Sequence, residues 1–336
     1  MERYESLESA RQDFSTDSKK VATIGFFDGV HRGHHVLLED LKKWAEQAGA
    51  ESVVVTFREH PQAVLGSHPP VPVVSLDHRL LLLERAGISA TVVLNFDEEL
   101  RALSPEDFVR DILVDGLGVE GLQMGFDSAF GSRRKGTFEY LQGRQDELGL
   151  EVRRSRAELA GEVAVSSTRV RGAVANWDFS ELDILLGHPF SMLGKVVQGD
   201  GRGRKIGFPT ANLSLPGVSV PSPGVYFCDV LCLGSQPRAR YSWPQLKSPG
   251  QLDGFCPGLM NIGRRPTLTG GEEAASGSFY NPEVDTVEVH LIDYEGDLYG
   301  EYLEVFVLAM HRGERKFSSV DELVAQIGLD IKARLG

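Results

Sequence analysis

The chain has 336 residues, 41% of them hydrophobic, and its 35 basic and 48 acidic side chains give a net charge of −13. This length allows two domains of ordinary size, and the acidic balance argues against non-specific binding to nucleic acid or to an anionic membrane. No run approaches the roughly 20 apolar residues of a membrane span, the opening residues predict no signal peptide, and three cysteines without CxxC spacing favour a reducing, cytoplasmic location.

The first half alternates predicted strands with predicted helices. Buried-strand patterns cover residues 21–24, 52–57, 90–96, 121–125 and 150–153. Helical patterns cover residues 35–48, 79–86, 105–113 and 138–148, the third with Ser104 as N-cap and Pro105 in first position. Strands separated by helices predict an α/β fold with a doubly wound parallel sheet.

A glycine-bearing turn, GFFDGVHRGH, joins the first strand to the first helix at residues 25–34. Crevices beyond strand ends bind ligands in open parallel sheets, and a helix N-terminus offers free N–H groups to a phosphate. His31 and His34 are three residues apart, so they face the same way and can donate hydrogen bonds to phosphate oxygens. A metal pair or two structural histidines at a helix cap are the alternatives, and no HExxH motif or nearby cysteine set supports the metal.

The HxGH tetrapeptide at residues 31–34 resembles the signature of the nucleotidylyltransferase superfamily. With the preceding GFFDG it is similar to the adenylyltransferase module of bacterial riboflavin kinase/FAD synthetases, as are Phe57, His60 and Pro61 and the segment VSSTRVR at 165–171. The resemblance implies that His31 and His34 steady the transferred group, and that ATP contacts Gly25, Phe27, Asp28, Gly33, Ser166, Ser167, Thr168 and Arg171. The hydroxyls of residues 166–168 could equally cap a helix beginning near Arg169.

The same module has a flavin-side segment that appears here as GFDSAFG at residues 125–131. Asp127 and Phe130 match it and are expected to bind flavin, whereas Phe126 and Ser128 depart from it, as do Phe26 and Glu59 from their own motifs.

The second half has a different pattern. A predicted helix at 173–186 ends at Gly187, and strand patterns follow at 190–198, 224–232, 259–262, 286–291 and 302–309, before a last helix at 320–333. Short strands between glycine- and proline-rich turns predict a small antiparallel β-barrel. We therefore divide the chain into residues 1–186 and 187–336.

Residues 199–213, GDGRGRKIGFPTANL, combine four glycines, three cationic side chains and the tetrapeptide PTAN. Glycine lets backbone N–H groups approach an anion, and the cations add charge. On an extended segment Thr210 and Asn212 point to the same side, and their oxygens suit Mg²⁺. A flexible surface loop is the alternative.

This stretch resembles the ATP-binding motif of riboflavin kinases, which implies ATP contacts at Gly201, Arg204 and Gly207. The resemblance covers the whole second half, through residues 223–226, 261–267, 287–291, 297–300 and the end segment with Arg312 and Phe317. It implies a bound Mg²⁺ and a flavin enclosed by Arg312 and Phe317. Residues 235–257, with Trp243 and Cys256, form an insertion predicted as a surface loop or an oligomer contact.

Glu288 alternates with Val287 and Val289 on a predicted strand, so it faces away from those apolar neighbours, as does His290. A solvent-facing glutamate is the alternative, but the family places its catalytic base at this position. A positioned carboxylate can take the proton of an alcohol that attacks a phosphate.

The resemblance implies a bifunctional enzyme that phosphorylates riboflavin to FMN and adenylylates FMN to FAD. Its expected substrates are riboflavin, FMN and ATP, with neither nucleic acid nor membrane as partner and a homo-oligomer possible. Two alternatives remain at this point. One is a monofunctional riboflavin kinase with a degenerate first domain, motivated by Phe126 and Ser128, and the other is a non-catalytic flavin-binding regulator.

Overall fold

A computed structural model describes residues 1–14, 18–64, 69–263 and 286–336 of the chain. These residues form two compact units, residues 1–70 with 79–167 and residues 71–78 with 168–336. The helices between 168 and 186 thus group with the second unit. No helix among the described residues is long and apolar enough to cross a membrane.

The first unit contains a six-stranded sheet, a small hairpin and the intervening helices. The strands are β1 (Glu2–Tyr4), β2 (Lys20–Ile24), β3 (Glu51–Phe57), β4 (Ala90–Leu94), β5 (Val119–Met124), β6 (Glu151–Arg154) and, in the hairpin, β7 (Leu159–Ala160) and β8 (Val163–Ala164). The helices are α1 (Leu7–Asp13), α2 (Arg32–Ala48), α3 (Leu76–Arg85), α4 (Glu98–Ala102), α5 (Pro105–Asp107), α6 (Asp115–Leu117), α7 (Phe138–Gln142) and α8 (Gln145–Leu148), with a π-helical stretch at Phe108–Val114.

The sheet has the order β1-β4-β3-β2-β5-β6, and every neighbouring pair is parallel. Both of its faces are covered: Val53 and Val55 belong to one core cluster, and Val54, on the opposite face of the same strand, is equally buried. The predicted doubly wound parallel sheet is therefore confirmed. The sequence does not predict β1 and α1, which add a sixth strand at one edge of the sheet.

Two predicted helices in this unit differ from the structure. Ser104 does cap α5, accepting the Asp107 N–H, but the helix predicted over 105–113 changes to π-helical geometry at Phe108. The helix predicted over 138–148 is interrupted between α7 and α8, where Arg144 leaves helical backbone geometry.

The winding of the sheet reverses at β2. From β2 the chain moves through β3 and β4 in one direction and returns to place β5 on the other side of β2. In open α/β sheets ligands bind beyond the carboxyl ends of the strands at such a switch point. The turn of residues 25–30 follows β2, and residues 125–131 follow β5, so this topology brings both segments to one edge of the sheet.

The second unit is a closed antiparallel barrel with flanking helices. Its strands are β9 (Ser191–Val197), β10 (Ala211–Ser214), β11 (Gly224–Gly234), β12 (Phe255–Gly263), β13 (Thr286–Leu291) and β14 (Tyr302–Arg312), in the order β10-β13-β12-β11-β14-β9. Its helices are α9 (Ser167–Asn176), α10 (Phe179–Leu186), α11 (Arg202–Lys205) and α12 (Val320–Leu335). The predicted barrel and its last helix are confirmed, and β10 is a strand that the pattern does not predict.

The helix predicted over 173–186 is wrong as a single element. Trp177 adopts left-handed backbone geometry, with φ of 58°, between α9 and α10. Asp178 then caps α10 by accepting the Glu181 N–H. The start of α9 at Ser167 also precedes the predicted start near Arg169.

The insertion at residues 235–257 packs on the barrel instead of extending from it. Its Leu246 is fully buried in a cluster with Leu231 and Phe306, and Trp243 packs against the same cluster. This part of the chain therefore extends the apolar core of the second unit.

Residues 71–78 join the second unit through buried polar contacts. Nε2 of His78 lies 3.2 Å from Oγ of Ser191, which donates to Oε1 of Glu304 at 2.9 Å, and all three residues are buried. His78 and Glu304 are also within ion-pair distance, at 3.6 Å. A segment from the first half of the sequence thus shares a buried polar network with two barrel strands.

Candidate active sites

The turn between β2 and α2 has an unusual backbone. Phe27 and Val30 have φ of 56° and 41°, and Gly29 has φ of 73°. Left-handed geometry is costly for a bulky or β-branched residue, and such strain persists only where the surroundings fix it. His31 follows as the N-cap of α2, with its Nδ1 accepting the N–H of His34 at 3.4 Å.

The imidazole rings of His31 and His34 are stacked, with centroids 3.7 Å apart and planes 15° apart. Because Nδ1 of His31 accepts a hydrogen bond, the proton of its neutral form lies on Nε2. Burial, and next the positive charge of a protonated His31, hold the pKa of His34 well below its usual value of about 6.5. Nδ1 of His34 is buried and has no hydrogen-bond partner among the described residues, so a buried polar atom is available here to a ligand.

Gly25 and Gly33 stand where a larger side chain would crowd the rings of Phe27 and His31. A Cβ on Gly33 would lie 3.2 Å from the His31 ring and 3.4 Å from the Val165 carbonyl, and one on Gly25 would lie 3.0 Å from the Phe27 ring. Asp28 is buried, and its carbonyl accepts a hydrogen bond from Oγ of Ser167 at 3.3 Å. The structure thus brings Ser167, 139 residues away along the chain, to the GFFDG turn.

The other predicted ATP ligands of this half lie at the start of α9. Ser166 precedes the helix, and Thr168 lies in its first turn. Arg171 donates to Oγ1 of Thr168 at 3.3 Å, so the hydroxyl and the guanidinium are adjacent.

Arg79 is predicted from the sequence pattern only as the first residue of a helix, with no role in the site. The residue is 1% exposed, and its guanidinium donates to the carbonyls of Phe26 and Phe57 at 2.8 and 2.5 Å. The Phe26 ring also contacts the His60 ring, with centroids 4.7 Å apart, so the Phe57–His60 motif borders the same turn. The sequence feature that could have identified this residue is an arginine followed directly by four leucines.

The predicted flavin residues of this half lie after β5. Asp127 is exposed, whereas Phe130 packs on Phe108 with ring centroids 5.1 Å apart. Reciprocal backbone hydrogen bonds with Gly136 fix Phe130. Phe130 therefore has a structural role already, and Asp127 is accessible to a ligand.

In the second unit Glu288 stands in the middle of a polar row. Asn212 of β10 and Asn261 of β12 are its cross-strand partners, so the three side chains share one face of the barrel wall. Oγ1 of Thr210 donates to Oε2 of Glu288 at 3.0 Å. The predicted metal ligands and the predicted base are thus in contact, and Asn261 is an additional polar neighbour.

Within residues 199–213, glycines let the first part of the loop approach Asn212 and Thr210 closely. A Cβ on Gly199 would lie only 2.2–2.7 Å from the Asn212 side-chain atoms, and one on Gly203 would lie 2.3 Å from the Phe208 carbonyl. Gly201 and Gly207 have φ of 64° and 89°, which glycine adopts without strain.

An open cleft of about 470 Å³ adjoins this loop. Arg204 and Thr210 line it together with Asp297, Leu298 and Tyr299 of the DLYG block. His290, on the same strand face as Glu288, has its Nδ1 2.8 Å from the Pro209 carbonyl, which fixes the start of the PTAN segment. The loop at 199–213 and the blocks at 287–291 and 297–300 are therefore adjacent, whereas residues 264–267 lie outside the described residues.

Arg312 is held by a residue that the sequence pattern missed. Asp330 of α12 is almost fully buried and accepts hydrogen bonds from Nε and Nη2 of Arg312, the latter at 2.7 Å. Phe317 lies near this guanidinium, with 6.0 Å between Cζ of Arg312 and the ring centroid. Despite its burial, hydrogen bonds from Arg312 and Gln326 lower the pKa of Asp330 below its usual value, so it remains a carboxylate.

Comparison with known proteins covers both halves. The family model for FAD synthetase matches residues 13–169, and the model for riboflavin kinase matches residues 186–335. A crystal structure described as a macrolide-efflux protein from Streptococcus pneumoniae is 29% identical, with a TM-score of 0.74 over 99% of this chain and 98% of that one.

Two bacterial relatives carry the same description, bifunctional riboflavin kinase/FMN adenylyltransferase. The protein of Escherichia coli (strain K12) is 37% identical over 92% of this chain and 90% of its own length. That of Bacillus subtilis (strain 168) is 33% identical over 93% and 90%, respectively. Identity at this level over nearly the full length of both chains, with matching models for both halves, shows that the chain belongs to the bifunctional riboflavin kinase/FMN adenylyltransferase family.

Proposed function

We propose that this chain makes FMN from riboflavin and then FAD from FMN, using ATP in both steps. We assign the first reaction to residues 187–336 and the second to residues 1–186, and place the protein in the cytoplasm. The observation that carries the proposal is the contact between Thr210 and Glu288, 78 residues apart in sequence, which joins an oxygen ligand set to a carboxylate base.

For the kinase step, we assign Glu288 as general base. Its carboxylate takes the proton of the riboflavin hydroxyl as that oxygen bonds to the γ-phosphorus of ATP, and the bond to ADP breaks. Arg204 and the backbone of Gly201 and Gly207 would bind the phosphates. Among the described residues, Asp330 and the Gly313 carbonyl accept from three of the five N–H groups of the Arg312 guanidinium, which leaves two for a ligand and supports a flavin-side role for Arg312. Phe317 would cover the flavin.

Magnesium fits the residues present. The Thr210 hydroxyl donates a hydrogen bond to Glu288, so the lone pairs of its oxygen remain available to a metal ion. The Asn212 side chain is held against the bare Cα of Gly199. These two oxygens would hold Mg²⁺, which when bound neutralises phosphate charge.

For the adenylyl step, an FMN phosphate oxygen attacks the α-phosphorus of ATP and pyrophosphate leaves. The Nε2–H of neutral His31 would donate to a phosphate oxygen, and His34 would supply a buried neutral imidazole beside it. Gly25, Phe27, Asp28, Gly33, Ser166, Ser167, Thr168 and Arg171 are the proposed ATP contacts, with Asp127 and Phe130 on the flavin side.

Chromatographic product analysis tests both assignments in one experiment. Protein incubated with riboflavin, ATP and Mg²⁺ is expected to yield FMN and then FAD. FMN supplied alone with ATP is expected to yield FAD and pyrophosphate. Formation of FMN without FAD would support the monofunctional alternative, and flavin binding without ATP consumption would support the regulator.

A further inference from the structure

Arg79 links the ends of two adjacent strands in the first unit. The carbonyl of Phe26 lies just beyond β2 and that of Phe57 ends β3, and the guanidinium donates to both, at 2.8 and 2.5 Å. Its Cζ also lies 4.1 Å from the centroid of the Phe26 ring. A planar guanidinium can make these contacts together because its donors point in fixed directions, which a lysine ammonium cannot reproduce.

The segment that Arg79 holds is the strained one. Phe26 precedes Phe27, whose φ is 56°, and the Phe26 carbonyl also accepts from Oγ1 of Thr56 at 3.3 Å. Two donors on one carbonyl fix the peptide plane between residues 26 and 27. Because left-handed geometry at a bulky residue needs external support, removal of Arg79 should release the turn that leads to His31.

The burial of the positive charge of Arg79 also needs a physical reason. Within the part of the chain that the structure describes, Nε of Arg79 is buried without a partner, and the two carbonyls are its hydrogen-bond acceptors. Burial lowers the pKa of Arg79 to about 10, an effect that the negative charge of Asp28 opposes. A buried cation with no carboxylate hydrogen-bonded to it is costly for folding alone, which favours a role in the reaction.

We propose that Arg79 is a positioning residue for FMN adenylylation, which clamps residues 26–28 to the end of β3 and thereby orients the turn beneath the reacting phosphates. This inference rests on the proposed function of the first unit. It assigns to Arg79 no contact with ATP or FMN.

The test uses the full chain and the variants Arg79→Lys and Arg79→Met, with Arg85→Lys as control. Arg85 lies on the same helix and is similarly buried, at 4% exposure. In both Arg79 variants we expect kcat for FAD formation to fall about 10- to 100-fold, because small misplacements of reacting groups have effects of this size. Riboflavin phosphorylation by the second unit is expected to stay native in all three variants.

Two further measurements separate positioning from a general loss of stability. A buried lysine loses its proton more readily than arginine, so FAD formation by Arg79→Lys should decline as pH rises from about 6 to 9, and that by Arg85→Lys should not. Amide hydrogen exchange of residues 25–31 should accelerate in both Arg79 variants, without any need for turnover.

The outcomes distinguish the two claims. If the native protein forms no FAD, the proposed function of the first unit falls, and the role of Arg79 falls with it. If the native protein forms FAD and Arg79→Lys keeps native kcat, a flat pH profile and native exchange at residues 25–31, only the Arg79 proposal is overturned.

Discussion

Replacing Glu288 with glutamine removes the proposed base while preserving its shape. The side-chain oxygen of the new amide can still accept the hydrogen bond that Thr210 donates at 3.0 Å, and the partners Asn212 and Asn261 remain in register. We therefore expect the barrel to fold normally and riboflavin to bind nearly as before. The amide cannot take a proton from the attacking hydroxyl.

The expected size of the effect follows from general base catalysis, which typically contributes about 10²–10⁴-fold. Each factor of ten corresponds to about 1.36 kcal/mol of activation free energy, so the barrier should rise by about 2.7–5.4 kcal/mol. The loss should appear in kcat for FMN formation, with KM for riboflavin changed by less than about threefold, because ground-state binding is retained.

The assay is FMN formation from riboflavin by chromatography, and FAD formation from FMN serves as a control in the same molecule. Asp253→Asn is the matched control for loss of one negative charge, since this exposed side chain lies in the insertion of the second unit. It should retain native rates. A Glu288→Gln protein that phosphorylates riboflavin at the native kcat would refute the assignment of the base.

Three further substitutions or conditions test the packing and protonation described above. Gly121→Ala should destabilise the first unit by about 1–3 kcal/mol in urea denaturation, because its Cβ would lie 2.4 Å from the Trp44 ring; an unchanged midpoint would contradict this packing. His78→Ala should lower stability by about 2–3 kcal/mol, because the buried Glu304 loses its imidazole neighbour; thermal melting against His78→Asn measures how much another hydrogen-bonding side chain restores. His34 has a lower pKa in the folded state than its unfolded value of about 6.5, so the unfolded chain binds the extra proton as pH falls below that value. Stability should then decrease by up to about 1.4 kcal/mol per pH unit, and a His34→Gln variant that shows the same slope would contradict the assignment.

Local patterns in the sequence were sufficient for most of the fold. The alternation of Val287, Glu288 and Val289 predicts β13 and a carboxylate on the face opposite the two valines, and the structure has a strand at Thr286–Leu291 with alternating burial. Helix boundaries were less well predicted where the backbone departs from regular geometry, as at Trp177 and in the π-helical stretch Phe108–Val114. Hydrophobic periodicity does not report such local changes, because the buried face of the helix continues through them.

Apolar periodicity and glycine-rich turns are local properties of the chain, so the amino-acid sequence alone is sufficient to predict the two fold classes and to nominate the motif residues of both candidate sites. Which of these residues come into contact depends on the tertiary structure. The contact of Thr210 with Glu288 depends on β10 pairing with β13, and the clamp by Arg79 depends on β3 lying beside β2. The contact between Asp330 and Arg312 likewise depends on how α12 packs on the barrel. Strand order and register arise from burial summed over the whole domain, so no short segment encodes them.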